Sequence, residues 1–274
     1  MMKKLKSILA LTLALMLCAV SFAAFAEDDS LQKVKDKGQF VLGFDASFPP
    51  MGFTDENGSY VGFDIDVARE VCARLGVELV LQPIDWSAKD LELSSGNIDC
   101  IWNGMTVTDE RKESMSLSVP YLNNAQVLCV KADSDIKTIA DMKGKKLALQ
   151  SGSSAAEAVA ANADLLASLD GAPVEYSDNT MALMDLDNGG VDAVALDVIV
   201  ANYYIAKKGA NYRVLDEQLA PEQYAVGFRK GDLALTDAVN QQLFAMAKDG
   251  KLAEISTEWF GSDVTIVAQQ EAAQ

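Results

Sequence analysis

The chain has 274 residues, half of them hydrophobic, with 40 acidic side chains against 23 basic ones and no histidine. That length supports one large or two ordinary domains with a sizeable core. The formal charge of −17 argues against nucleic acid and anionic membrane surfaces as partners. The missing imidazole removes Ser-His and Cys-His nucleophile systems and the commonest metal ligand.

The first 26 residues read as an export signal. Lys3, Lys4 and Lys6 give a basic start, Ser7 to Val20 is apolar, and Ala24-Phe25-Ala26 fits a small-x-small cleavage site before Glu27. The apolar run is short for a membrane span, and no later run of about 20 apolar residues follows. Lipid attachment at Cys18 is not expected, because Leu17 stands where such signals carry a small residue. Cleavage after Ala26 removes three lysines and no acid, which takes the formal charge from −17 to −20. A periplasmic or extracellular location follows.

Strand and helix signals then alternate. Gln39–Phe44 is a short apolar run ending at Asp45, followed by Phe48-Pro49-Pro50 and the turn Asp55-Glu56-Asn57-Gly58. Asp64–Leu75 carries Ile65, Ala68, Cys72 and Leu75 at helical spacing, closed by Gly76. Val77-x-Leu79-x-Leu81 alternates as a strand. Ser87–Ser95 is a short helix stopped by Gly96, and Ile98–Asn103 a strand. The rhythm repeats in the second half. Lys146–Gln150 precedes Ser151-Gly152-Ser153-Ser154, which opens an Ala-rich helix. Val174–Tyr176 reads as a strand, Asn179–Leu186 as a helix ending at Gly189-Gly190, and Val191–Leu196 as a buried strand reaching Asp197. The polar tail Ala268–Gln274 is expected to be disordered. The mature chain keeps Cys72, Cys100 and Cys129, so at most one disulfide can form; each lies in an apolar run and reads as a buried thiol.

Leu93-SSGNIDCIWNG-Met105 and Leu186-DNGGVDAVALD-Val198 are built alike: a helix end, a glycine turn, an acid, and an apolar strand stopping on polar residues. Two similar α/β lobes are therefore expected. Ligands of open α/β sheets sit beyond the carboxyl ends of the strands. Those ends hold Asp45, Trp86, Asn103 and Gly104 in one lobe, and Ser153, Ser154 and Asp197 in the other. Arg111 and Thr106 follow the Asn103 strand end.

This set can hold an α-amino acid. An Arg fork binds a carboxylate, and a helix N-terminus at Ser153 and Ser154 favours an anion. Asp197 can hold an ammonium, Phe48 and Trp86 can flank a side chain, and Asp45 is free for a polar or cationic one. Each residue also has a plainer reading. Arg111 can pair with Asp109 or Glu110 on a surface turn, Ser153, Ser154 and Asp197 can cap helices, and the two aromatics can be core.

The stretches FDASFPPMGF, GSYVGFDIDVAREV, SSGNIDCIWNGMTVTDERK, IADMKGKKLALQSGSS and DGKLAEISTEWFG resemble the bacterial extracellular solute-binding proteins of family 3, the amino-acid receptors of ABC importers. The resemblance runs from about Gly38 to Gly261. It implies a two-lobe clamshell of the type II periplasmic-binding-protein kind, joined by two hinge strands near Gln126–Lys131 and Tyr224–Arg229. Residues 27–126 and 225–274 would form the first lobe, and 127–224 the second.

The resemblance also implies roles. Arg111, Thr106, Ser153 and Ser154 would take the α-carboxylate. Asp197 and the Gly104 carbonyl would take the α-ammonium. Phe48 and Trp86 would flank the side chain, and Asp45 and Asn103 would read it. The family's loop disulfide is not expected, since the partner position of Cys72 is Leu79. Lys89 and Glu92 fall in a helix that is usually more apolar. No cofactor, no metal and no catalysis are expected, and the partners are an amino acid and the permease subunits of the importer, with the protein a monomer. The alternative is an exported dehydratase of the cyclohexadienyl type on the same fold, with Asp45, Glu92 or Asp197 as its general acid.

Overall fold

The computed structural model describes residues 28–271. Its first sheet begins with β1 (Gln39–Phe44), preceded by α1 (Ser30–Lys37). A small antiparallel hairpin layer follows: β2 (Ser47–Phe48), β3 (Gly52–Thr54) and β4 (Tyr60–Val61). Next come α2 (Phe63–Leu75) and β5 (Glu78–Pro83), then a 3-10 turn at Trp86–Ala88 running into α3 (Lys89–Ser94), and β6 (Cys100–Ile101). After a loop, α4 (Asp109–Ser114) and β7 (Met115–Leu117) end the first pass through this lobe.

The second sheet is built from β8 (Leu122–Lys131), β9 (Leu147–Gln150), β10 (Val174–Tyr176), β11 (Ala193–Asp197) and β12 (Tyr212–Tyr224). Its helices are α5 (Ser154–Ala161), α6 (Ala163–Ser168), α7 (Asn179–Asn188) and α8 (Val198–Lys207). The chain then returns as β13 (Gly227–Arg229), α9 (Leu233–Asp249), α10 (Lys251–Phe260) and α11 (Val267–Glu271). Helices α9 and α10 pack on α1 and α2, which returns the C-terminal segment to the first lobe.

The strand orders match. The first sheet runs β5-β1-β6-β13-β7 and the second β10-β9-β11-β8-β12. In each, three parallel strands adjoin antiparallel ones, so each lobe offers strand carboxyl ends to the same cleft. Phe40, Leu42 and Phe44 of β1 are fully buried in one cluster with Ile65, Ala68 and Val71 of α2. Each such side chain contributes about 1.5–3 kcal/mol by leaving water.

The chain passes between sheets at Ser118–Tyr121 and at Ala225–Val226. These crossings lie side by side: Ser118 N donates to Val226 O and Tyr121 N to Tyr224 O, both 2.9 Å. Gln126–Lys131, expected as a hinge, lies inside the second sheet, where Asp197 pairs with Gln126 and Tyr212 with Lys131. An extended apolar run reads alike in a sheet and in a crossing. Three other expectations also shift. The strand expected over Ile98–Asn103 pairs only at Cys100–Ile101, and the strand expected from Val191 starts at Ala193 while ending, as expected, on Asp197. Part of the expected disordered tail is the helix α11. The export signal and the last three residues lie outside the described residues.

Gly62 sets the start of α2. Its φ is +146°, and a Cβ there would meet the Met51 carbonyl at 2.2 Å. That contact seats the Pro49-Pro50 loop on the helix start, where Phe63 N donates to Pro50 O at 2.8 Å. Cys72, Cys100 and Cys129 are free and buried.

Candidate functional site

One cavity between the lobes is lined by Phe48, Trp86, Gly104, Thr106 and Arg111 from the first lobe, and by Gln150, Ser153, Ser154 and Asp197 from the second. All come from strand ends or the loops that follow them. The walls nearly touch, leaving a cavity of only ≈ 10 Å³, about one water. Wider clefts of ≈ 860 Å³ beside Arg111 and ≈ 640 Å³ beside Phe53 and Tyr203 flank it. A bound molecule must therefore replace wall-to-wall hydrogen bonds rather than fill a void.

Those bonds cross the cleft. Thr106 Oγ1 and Ser154 Oγ are 2.9 Å apart, Gln150 Nε2 donates to Asp45 Oδ2 at 2.8 Å, and Lys89 Nζ donates to Gly152 O at 3.0 Å. Arg111 is 5% exposed, which removes the surface-turn reading. Lys112, not Arg111, pairs with Asp109. Arg111 Nη1 donates to Thr106 O at 2.9 Å, and Nη2 lies 3.7 Å from Glu157 Oε1 of the opposite lobe.

The loop carrying Gly104 and Thr106 is pinned to the second crossing. Val107 N donates to Gln223 O and Ala225 N to Met105 O. Behind it, the fully buried Asp64 accepts from Gly104 N at 2.6 Å and from Tyr121 OH at 2.9 Å. Burial pushes the Asp64 carboxyl up to about 7. Gly104 has φ +59°, and a Cβ there would meet Phe48 at 2.9 Å and Tyr224 at 3.1 Å.

Asp197 is 4% exposed and does not cap α8 with its side chain. Its Oδ1 accepts from Asn124 Nδ2 at 2.8 Å and Tyr224 OH at 2.5 Å. Ser153 does serve as a cap: its hydroxyl accepts from Ala156 N at 3.2 Å and donates to Gln150 O at 2.7 Å. Ser154 Oγ instead faces Thr106 and Gln126.

Asp45 and Asn103 stand one layer behind the cavity wall. Asn103 Oδ1 accepts from Asp45 N at 3.0 Å, and its Nδ2 is buried without a partner. Asp45 Oδ1 accepts from Ser47 N. Burial pushes the Asp45 carboxyl up to about 6, despite the bonds from Ser47 and Gln150. Glu92 stays in α3 and accepts from Asn97 Nδ2. Lys89 is buried, 5.3 Å from the Trp86 ring centre, and its ammonium is held below the usual lysine range by burial and then by Arg111.

Gln150, Lys89 and Glu157 were not among the expected site residues, nor were Asn124, Gln126, Glu222 and Tyr224 around Asp197. Gln150 ends a strand as the others do, so the same signal reaches it.

Comparison with known proteins fits this geometry. The model of the bacterial extracellular solute-binding proteins, family 3, matches residues 40–262, and the chain belongs to that family. It is 33% identical over 253 residues to the L-cystine-binding protein TcyJ of Escherichia coli K12, covering 91% of this chain and 93% of that one. It superposes with TM-score 0.85 and 41% identity on an ABC uptake transporter substrate-binding protein from Streptococcus pneumoniae with bound histidine, covering 88% and 99% of the two chains. A structure with bound L-arginine matches at TM-score 0.82 and 31% identity over 88% and 98%. The two-lobe α/β fold and the family expected from the sequence are thus established.

Proposed function

We propose that this protein captures an L-amino acid with a polar or cationic side chain between its lobes and delivers it to the membrane subunits of an ABC importer. One observation carries the reading. Arg111 and Asp197, of opposite charge type, enter the same buried cavity from opposite lobes. A zwitterion that bridges them binds the closed state better than the open one, which is what drives closure. In this reading Arg111, Thr106 and the amides of α5 take the carboxylate, and Asp197 with the Gly104 carbonyl takes the ammonium.

Phe48 and Trp86 flank the side chain, while Asp45 and Asn103 set the charge and polarity at its end from one layer behind the wall. A cationic end would supply the charge that Asp45 lacks, since among the described residues it has no basic partner within 4 Å. The relative named for cystine and the similar structures with bound histidine and L-arginine support a polar or cationic class. The protein acts as an exported monomer, with its export signal removed after Ala26, and binds without turnover.

The test is thermal shift of protein refolded from denaturant, against the twenty amino acids and L-cystine. A binder at 100 times its dissociation constant adds about 2.7 kcal/mol. Silence across the panel, or conversion of a cyclohexadienyl acid, would refute the proposal.

A further inference from the structure

Glu222 lies on β12, two residues before Tyr224 at the second crossing. It does not line the cavity, yet it is tied to a group that does. Asn124 Nδ2 donates to Asp197 Oδ1 at 2.8 Å and to Glu222 Oε1 at 2.5 Å, so one amide nitrogen touches both carboxyl groups. Gln126 Nε2 donates to Glu222 Oε1 at 2.9 Å. Through that shared donor the two carboxyls sit side by side. Two adjacent buried carboxylates cannot both carry charge cheaply, and a shared proton is the usual resolution.

The surroundings leave nothing else to neutralise them. The titratable groups facing Glu222 are Asp197 from the end of β11 and Tyr224 from its own strand. From β8 come only the neutral Asn124 and Gln126, and from α5 the Ser154 hydroxyl through Gln126. Among the described residues, no Lys or Arg lies within 4 Å of either carboxyl.

We infer that Glu222 is a positioning residue of the ammonium end, sharing one proton with Asp197 that leaves for solvent when an amino acid binds. The inference rests on the proposed amino-acid site. The balance is simple. The carboxyl O–H bond breaks, its electron pair stays on the carboxylate oxygen, and the proton passes to buffer. The N–H bonds of the ligand ammonium then supply the positive partner of Asp197. Burial, and then the Asp197 charge, push Glu222 up to about 8 in the resting protein. Burial raises Asp197 as well. A cation at 4–6 Å lowers such a carboxyl by roughly 1–3 units. The bound state then releases about half a proton or more at pH 7, and affinity rises roughly 5- to 45-fold from pH 6 to 8.

The test is titration calorimetry of the full mature protein at pH 7.5, with L-arginine, L-glutamine and L-cystine, in two buffers of different ionisation heat. At that pH Asp45 is already ionised and releases little. The expected result is proton release by the wild type and none by Glu222→Gln, whose affinity becomes flat above pH 7, where Asp45 is already ionised. Binding without proton release overturns the inference, as does equal release from Glu222→Gln. Should that variant fail to fold, the wild-type release profile decides: a midpoint near pH 8 supports the pair, and one near pH 6 assigns the proton to Asp45. If neither these three probes nor any other amino acid binds, the proposed function falls and takes this inference with it.

Discussion

Lys89 Nζ in the first lobe donates to the Gly152 carbonyl in the second at 3.0 Å, although Lys89 is 5% exposed. A buried ammonium held across a cleft is a latch that only the closed form makes. Lys89→Met keeps the length and loses the donor. A hydrogen bond from a charged group contributes about 1.5–3 kcal/mol. Amino-acid release is expected to speed up roughly tenfold or more, measured by stopped-flow displacement. Unchanged release would show that the contact carries no closure energy.

Arg111→Ala removes the cation at the carboxylate end. It is expected to cost more than about 2 kcal/mol of binding, as for a buried charge left without its partner. Calorimetry reads this directly. Near-native affinity would reduce Arg111 to a strut for the Thr106 carbonyl.

Asp45 gives a pH signature. Its folded pKa, about 6, lies above the unfolded value of 3.8. Its stability contribution is therefore present below pH 3.8 and is lost as pH rises through 6. The shift of about two units corresponds to about 3 kcal/mol. Urea melts of ligand-free protein should show wild type losing up to this amount of stability relative to Asp45→Asn between pH 4 and 7. A pH-independent gap would refute it.

Gly104→Ala meets two obstacles at once: a left-handed backbone, and the Phe48 and Tyr224 rings. The left-handed conformation alone costs about 1–2 kcal/mol. A lower melting temperature and weaker amino-acid binding are expected together. A wild-type melting curve would mean that the loop relaxes freely.

The thiols should be silent. Burial pushes Cys72 and Cys129 up to about 12 and Cys100 well above its ordinary range. Native mature protein is expected to resist Ellman's reagent, and denatured protein to yield three thiols per chain. Rapid native labelling would expose an opening through α2 or β8.

Much of the cleft was legible because strand ends are. Asp45, Gly104, Ser154 and Asp197 stand where an apolar run stops, and period and composition mark those stops directly. What lay hidden depends on partners remote in sequence. Glu222 meets Asn124 across 98 residues, and Tyr224 meets Asp197 across 27. Nothing in the local pattern Ala-Pro-Glu-Gln-Tyr signals a buried acid. Ser153 went the plainer way for a local reason: its hydroxyl finds Ala156 N and Gln150 O within its own turn. The first crossing was misplaced because Val127–Val130 of β8 is apolar on both faces, and only the pairing with β11 and β12 reveals where the sheet begins.

Strand β13 sits between β6 and β7 in the first sheet, yet 109 residues separate it from β7 in the chain, residues 118–226. The second sheet draws all its strands from one continuous stretch and can assemble as that stretch emerges. The first cannot: a gap stays open in its middle until Gly227–Arg229 arrives. Non-local pairing of this kind is slow to form. The lobe made first is thus the lobe finished last, and a chain shortened before residue 229 would leave β6 and β7 as exposed edges prone to pair with other chains.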